Sequence, residues 1–221
     1  MSVTVDTSIE RKTLADLLDG LGGVSPVRVR LHPLPGMATE ADLLDNNEHH
    51  KPLCELVDGV LLEKPLGYYE SMLALILARH LGNYLDQHDL GILLGEAGPM
   101  RLAPGLVRLP DLSFLSWTHF PNRQLPHEPI PNLAPDLAVE ILSASNTRAE
   151  MERKLREYFA AGTQLVWIVD PELRTIREYT GPEQFIARDE SQELDGGALL
   201  PGFRLSIRQL FERAGRRPGQ G

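Results

Sequence analysis

Leucines at positions 14, 17, 18 and 21 recur at helical spacing and stop at Gly22-Gly23, which predicts a helix over residues 13–21. Val27-Arg28-Val29-Arg30-Leu31 alternates as a half-exposed strand does. Residues 32–36 carry two prolines and read as a connector, after which Thr39 is placed to cap a short helix to about Asn46. Asp58-Gly59 between two apolar runs is the signal of a tight hairpin. The longest helical pattern covers residues 69–87, and short strands are expected at 92–94, 100–102, 106–109 and 111–117.

Residues 118–135 contain five prolines and predict a loop wrapped over the surface. Beyond it lie an apolar strand at 136–142, a helix at 147–161 with Gly162 just past its end, and a strand at 165–169. A strand, helix and strand in that order form a crossover, so the two strands should be parallel. A strand at 175–179 and a weaker segment at 205–211 follow. The pattern predicts one α/β domain with a mixed sheet. Residues 1–37 read as an amino-terminal embellishment, 38–213 as the main domain and 214–221 as a disordered tail.

Composition adds exclusions. The 221 residues are 42% hydrophobic and 24% charged, which suits an ordinary globular domain. No apolar run approaches the ~20 residues of a membrane helix, and the first six residues lack the pattern of a secretory leader. The single cysteine, Cys54, precludes an internal disulfide and fits a reducing cytoplasm. A formal net charge of −9 argues against a chain coated to grip nucleic acid. Basic residues nevertheless gather mid-chain as Arg101, Arg108, Arg123, Arg148, Arg153, Lys154 and Arg156, where each reads first as a solvated surface group.

Candidate chemistry centres on Glu140, an acid inside an apolar strand, which is costly unless paired or metal-bound. Asp111 opens what should be a neighbouring strand. Two carboxylates with the backbone carbonyl of Ile141 would suit a hard divalent cation such as Mg2+, which keeps several of its waters. Such an ion could polarise a phosphodiester and activate water. On a helical wheel Lys154 falls at the border of the Met151, Leu155, Tyr158 and Phe159 stripe, from which its amine could be aimed at the strand ends. Glu70 lies in line with Leu73, Ala74, Leu77 and Leu81. It either serves as an N-terminal helix charge or points into the metal site. Dinucleotide, serine-hydrolase and zinc signatures are absent: Gly20-Leu21-Gly22-Gly23 continues as Val24-Ser25, Ser143 lacks its elbow, and His49, His50, His119 and His127 lack ligand spacing.

The ordered strings 55–59 (Glu-Leu-Val-Asp-Gly), 108–114 (Arg-Leu-Pro-Asp-Leu-Ser-Phe), 135–143, 154–162 and 167–171 resemble the Uma-type endonuclease-like family of the PD-(D/E)XK superfamily, over roughly residues 38–180. The resemblance implies a restriction-endonuclease-like core: a four-stranded mixed sheet flanked by helices, with extra elements at both ends. It also implies a magnesium- or manganese-dependent nuclease site acting on nucleic acid, most simply DNA. Asp111 and Glu140 would be its acids. Leu142 stands where the superfamily has lysine, and the family's lysine would be Lys154 on the next helix. Where family members carry a histidine near the start of the long helix, this chain has Glu70. The rival expectation is a binding or assembly module that keeps the fold without turnover. A homodimer would suit cleavage of two strands, although no residue argues for it.

Overall fold

The computed structural model describes residues 13–49, 52–65 and 67–215. The first six residues, His50, and the Arg216-to-Gly221 end of the expected tail lie outside them. Helix α1 (Leu14–Gly20) starts at a reciprocal cap between Thr13 and Asp16. The alternating stretch that follows is not a strand. Pro26–Arg28 forms a single 3-10 turn, and Val29 alone bridges to Leu62. Proline at the head of the turn favours that outcome. Arg28 then turns inward to pair with both carboxylate oxygens of Glu150, at 2.9 and 2.8 Å.

Helix α2 (Glu40–His49) leads to the hairpin of β1 (Cys54–Val57) and β2 (Val60–Glu63). Asp58 and Gly59 both take positive φ, 52° and 73°, as this turn demands. A side chain at Gly59 would come within 2.6 Å of the Gly36 carbonyl group, so glycine is required. Helix α3 (Tyr68–His88) precedes β3 (Gly91–Gly95), β4 (Met100–Ala103), β5 (Leu106–Arg108) and β6 (Leu112–Ser116). The 118–135 segment is irregular apart from two 3-10 turns. Then come β7 (Leu137–Ile141), α4 (Arg148–Ala160), β8 (Leu165–Asp170), β9 (Thr175–Tyr179) and β10 (Phe185–Arg188). A small hairpin, β11 (Glu193–Asp195) with β12 (Arg204–Ser206), feeds α5 (Ile207–Arg213).

The strands divide between two principal sheets where one was expected. The first runs β2-β1-β5-β4, and the second β10-β9-β8-β7-β6-β3. The main sheet thus has six strands rather than four, because β3 and β10 extend both edges. It is mixed: β7 and β8 pair in parallel across the α4 crossover, and the other pairs are antiparallel.

Strand periodicity sorts the core. Leu137, Val139 and Ile141, with Leu165, Trp167 and Val169, pack with Leu73, Leu77 and Leu81 of α3 and with Leu210 and Phe211 of α5. Ala138, Val166 and Ile168 pack with Met151, Leu155 and Tyr158 of α4. Both faces are covered, which explains the near-continuous apolar runs of β7 and β8. Glu140 shares the parity of Ala138 and so lies on the α4 side. No described helix is long and apolar enough to cross a membrane.

Candidate active site

The site forms where the two sheets meet. Residues 109–111 leave β5 of the first sheet and enter β6 of the second, with the Asp111 amide bonded to the Val139 carbonyl at 3.0 Å. The Asp111 carboxylate accepts a hydrogen bond from the Ile141 amide on β7 at 2.6 Å. Its other oxygen pairs with the Lys64 ammonium at 2.8 Å. Lys64 follows β2 directly and also donates to the Leu109 carbonyl at 2.6 Å.

Deeper inside, Lys154 is enclosed rather than at the border the wheel gave. Its ammonium donates to both oxygens of Glu140 at 3.0 Å and to Glu55 at 3.1 Å. Tyr158, one helical turn on, donates to Glu140 at 2.6 Å. Glu55 accepts further from Arg108 at 2.8 Å and from the Leu109 amide at 3.1 Å. Arg108 also grips Glu157. Far from being a solvated surface cation, it is among the most buried side chains of the protein. Burial of so many charges is tolerated because each is paired.

The electrostatics follow from that packing. Burial alone would raise the Glu55 carboxyl, but Lys154, Arg108 and Lys64 outweigh it and hold Glu55 well below the usual carboxylate range. Burial pushes the Glu140 carboxyl up against the pull of Lys154, with the charge of Asp111 adding to the rise. Burial opposes the Lys154 ammonium, yet Glu140 and Glu55 more than compensate and keep it charged. Burial, with the charge of Glu140, raises the Tyr158 hydroxyl, so it serves as a donor.

Asp111, Glu140 and Lys154 therefore gather in one neighbourhood. Glu70 sits in the first turn of α3 with its carboxylate folded against Gly67 at the helix start. The donor chemistry suits a hard cation: two carboxylates, with Asp111 the more open at 18% side-chain exposure against 7% for Glu140. Among the described residues no cluster of three His, Cys, Asp or Glu makes a complete cage. Water, substrate and the Ile141 carbonyl would have to complete the coordination.

The family model for Uma2, described as "Putative restriction endonuclease", matches residues 39–208. The chain belongs to the Uma2 family. The fold is similar to that of a crystal structure from Anabaena variabilis, described as a "putative nuclease" belonging to DUF820. The TM-score is 0.64 at 21% identity, covering 74% of this chain and 92% of that one. No curated protein matches this chain.

In this Uma2 chain the site also includes Lys64, Glu55, Arg108 and Tyr158, none of which was a sequence candidate for catalysis or metal binding. Glu55 carried a usable signal, being an acid within the apolar run of β1. On the other flank of α4, a groove of about 1170 Å³ is lined in part by Arg148, Arg156, Arg177, Tyr179 and Phe185.

Proposed function

We propose that the protein is a metal-dependent endonuclease that hydrolyses nucleic-acid phosphodiester bonds, most simply those of DNA. The observation that carries this reading is the meeting of Asp111 and Glu140, from the two sides of the β6–β7 pair, beside two lysine ammoniums. Asp111, Glu140 and the Ile141 carbonyl would hold Mg2+ or Mn2+. When bound, such an ion lowers the pKa of an attacking water and polarises the phosphate. The protein's own part is positional. The Ile141 amide fixes Asp111, while Lys154 and Tyr158 fix Glu140. Lysine charge nearby would stabilise the negative charge that grows on the phosphoryl oxygens.

Nucleic acid as partner is supported by the groove beside α4, where Arg156 and Arg177 have no ion-pair partner among the described residues. Phosphates are natural occupants for such cations. A homodimer offering a site to each strand, and a cytoplasmic setting for buried Cys54, belong to the same proposal.

One observation favours the binding-module reading instead: every oxygen of Asp111 and Glu140 already has a protein donor. Purified protein with Mg2+ or Mn2+ decides between them. Nicking or cutting of DNA is expected, with Asp111→Ala and Glu140→Ala losing at least about a hundredfold in rate. Circular dichroism of the variants controls for folding. Failure to cut single- or double-stranded DNA or RNA with either ion would leave the binding module.

A further inference from the structure

The two lysines of the site are held in different ways. Lys154 has two carboxylate partners, Glu55 and Glu140, and its side chain is 3% exposed. Lys64 is equally enclosed, but among the described residues Asp111 is its sole carboxylate partner. Its other contact is the Leu109 carbonyl oxygen. An ammonium gripped by a carboxylate oxygen and a carbonyl oxygen sits in the surroundings a hard cation would choose. A divalent ion that binds Asp111 competes for the oxygen that Lys64 now holds, and two cations on one carboxylate oxygen repel. Once the ion takes it, the Lys64 ammonium loses its one direct ion pair in a buried place. It keeps only the more distant charges of Glu55 and Glu140, which Lys154 already engages, so its burial is costly and poorly compensated. An anion arriving at the metal would relieve that cost, and a phosphate oxygen is such an anion.

We infer that Lys64 holds the cation position on Asp111 and, once displaced by a divalent ion, is the amine that faces the phosphate, whereas Lys154 is a positioning residue for Glu140. This rests on the hydrolase reading above and deepens it. It moves the functional lysine from the crossover helix to the residue just past the hairpin strand β2.

Mn2+ titration calorimetry on the full chain tests the first half without any substrate. Lys64→Met removes the competitor, so its affinity for Mn2+ should rise about tenfold or more over wild type. Lys64→Gln, which keeps a donor for the Leu109 carbonyl, should rise similarly and serves if the methionine variant does not fold. Cleavage rates test the second half. Both variants should lose at least about a hundredfold at saturating Mn2+, and Lys64→Arg should recover part of the loss. Unchanged or weaker Mn2+ binding by Lys64→Gln overturns the cation-position claim. Tighter binding with wild-type cleavage overturns the phosphate-facing claim. If wild type cuts nothing while Lys64→Gln binds Mn2+ more tightly, the hydrolase reading falls and the cation position stands.

Discussion

Two lysine–carboxylate groups lie side by side between the sheets, and they differ in how much depends on them. The inner group joins Lys154 to Glu140 and Glu55, with Tyr158 and Arg108 closing the circuit. The outer group is Lys64 with Asp111, the acid with the greater exposure. Removing one member of the inner group strands buried charge on several elements at once. In the outer group, loss of Lys64 would leave Asp111, the more exposed partner, within reach of water, metal or substrate. The inner group therefore builds the site, and the outer group is free to exchange partners. A similar contrast separates the two Pro-Asp pairs. Asp136 is buried and ties down the Ser116 amide, His119 and Gln164, which leaves it a structural role. Asp111, after an identical Pro-Asp step, keeps 18% of its side chain exposed and pairs with Lys64 and the Ile141 amide.

The largest effect should come from Lys154→Met, which leaves Glu140 and Glu55 without their shared cation. A loss of about 3–5 kcal/mol in urea unfolding is expected. A loss below about 1 kcal/mol would show that the inner group does not hold the sheets together.

Acid should distinguish the groups next. The Glu55 carboxyl is depressed in the fold, so its stabilisation is complete above the unfolded glutamate value of about 4.3 and is lost as pH falls below it. Glu140 is raised, so its proton is taken up more readily in the folded state and acidification favours the fold there. Thermal melts should show stability falling below about pH 4 as Glu55 protonates. Glu140→Gln should differ in slope above that, between the unfolded glutamate value and the raised Glu140 value, where it lacks the gain in stability that wild type makes on acidification. An identical slope in the variant would refute the assignment of Glu140.

The smallest effect should be Asp111→Asn. The amide oxygen still accepts from Ile141 and Asp111 is partly exposed, but the enclosed Lys64 ammonium loses its carboxylate, so unfolding free energy should fall by about 1–3 kcal/mol, less than for Lys154→Met. A change as large as that of Lys154→Met would erase the distinction between the groups.

Much of this was legible in the chain. The Asp58-Gly59 turn, the long helix, the parallel crossover and the acids at 111 and 140 all carry local signals. Lys64 carries none, because Glu63-Lys64-Pro65 looks like any polar strand end. The wheel set the angle of Lys154 correctly but could not know that Glu55, from another sheet, would lie opposite. Pairing across that gap turned a border residue into an interior one. Val27 to Leu31 misled for a related reason. Its alternation is real, but the inward arginine serves Glu150, and one bridge does not make a strand.

The passage from β5 to β6 has a consequence for how such chains can vary. Leu109 gives its amide to Glu55 and its carbonyl to Lys64, so a single peptide unit on each side of one residue sets the spacing of both charge groups. An added or deleted residue at 109–110 would rotate one partner out of reach. Length changes are far easier to accommodate in the proline-rich, irregular span at 118–135 than in this short hinge between layers.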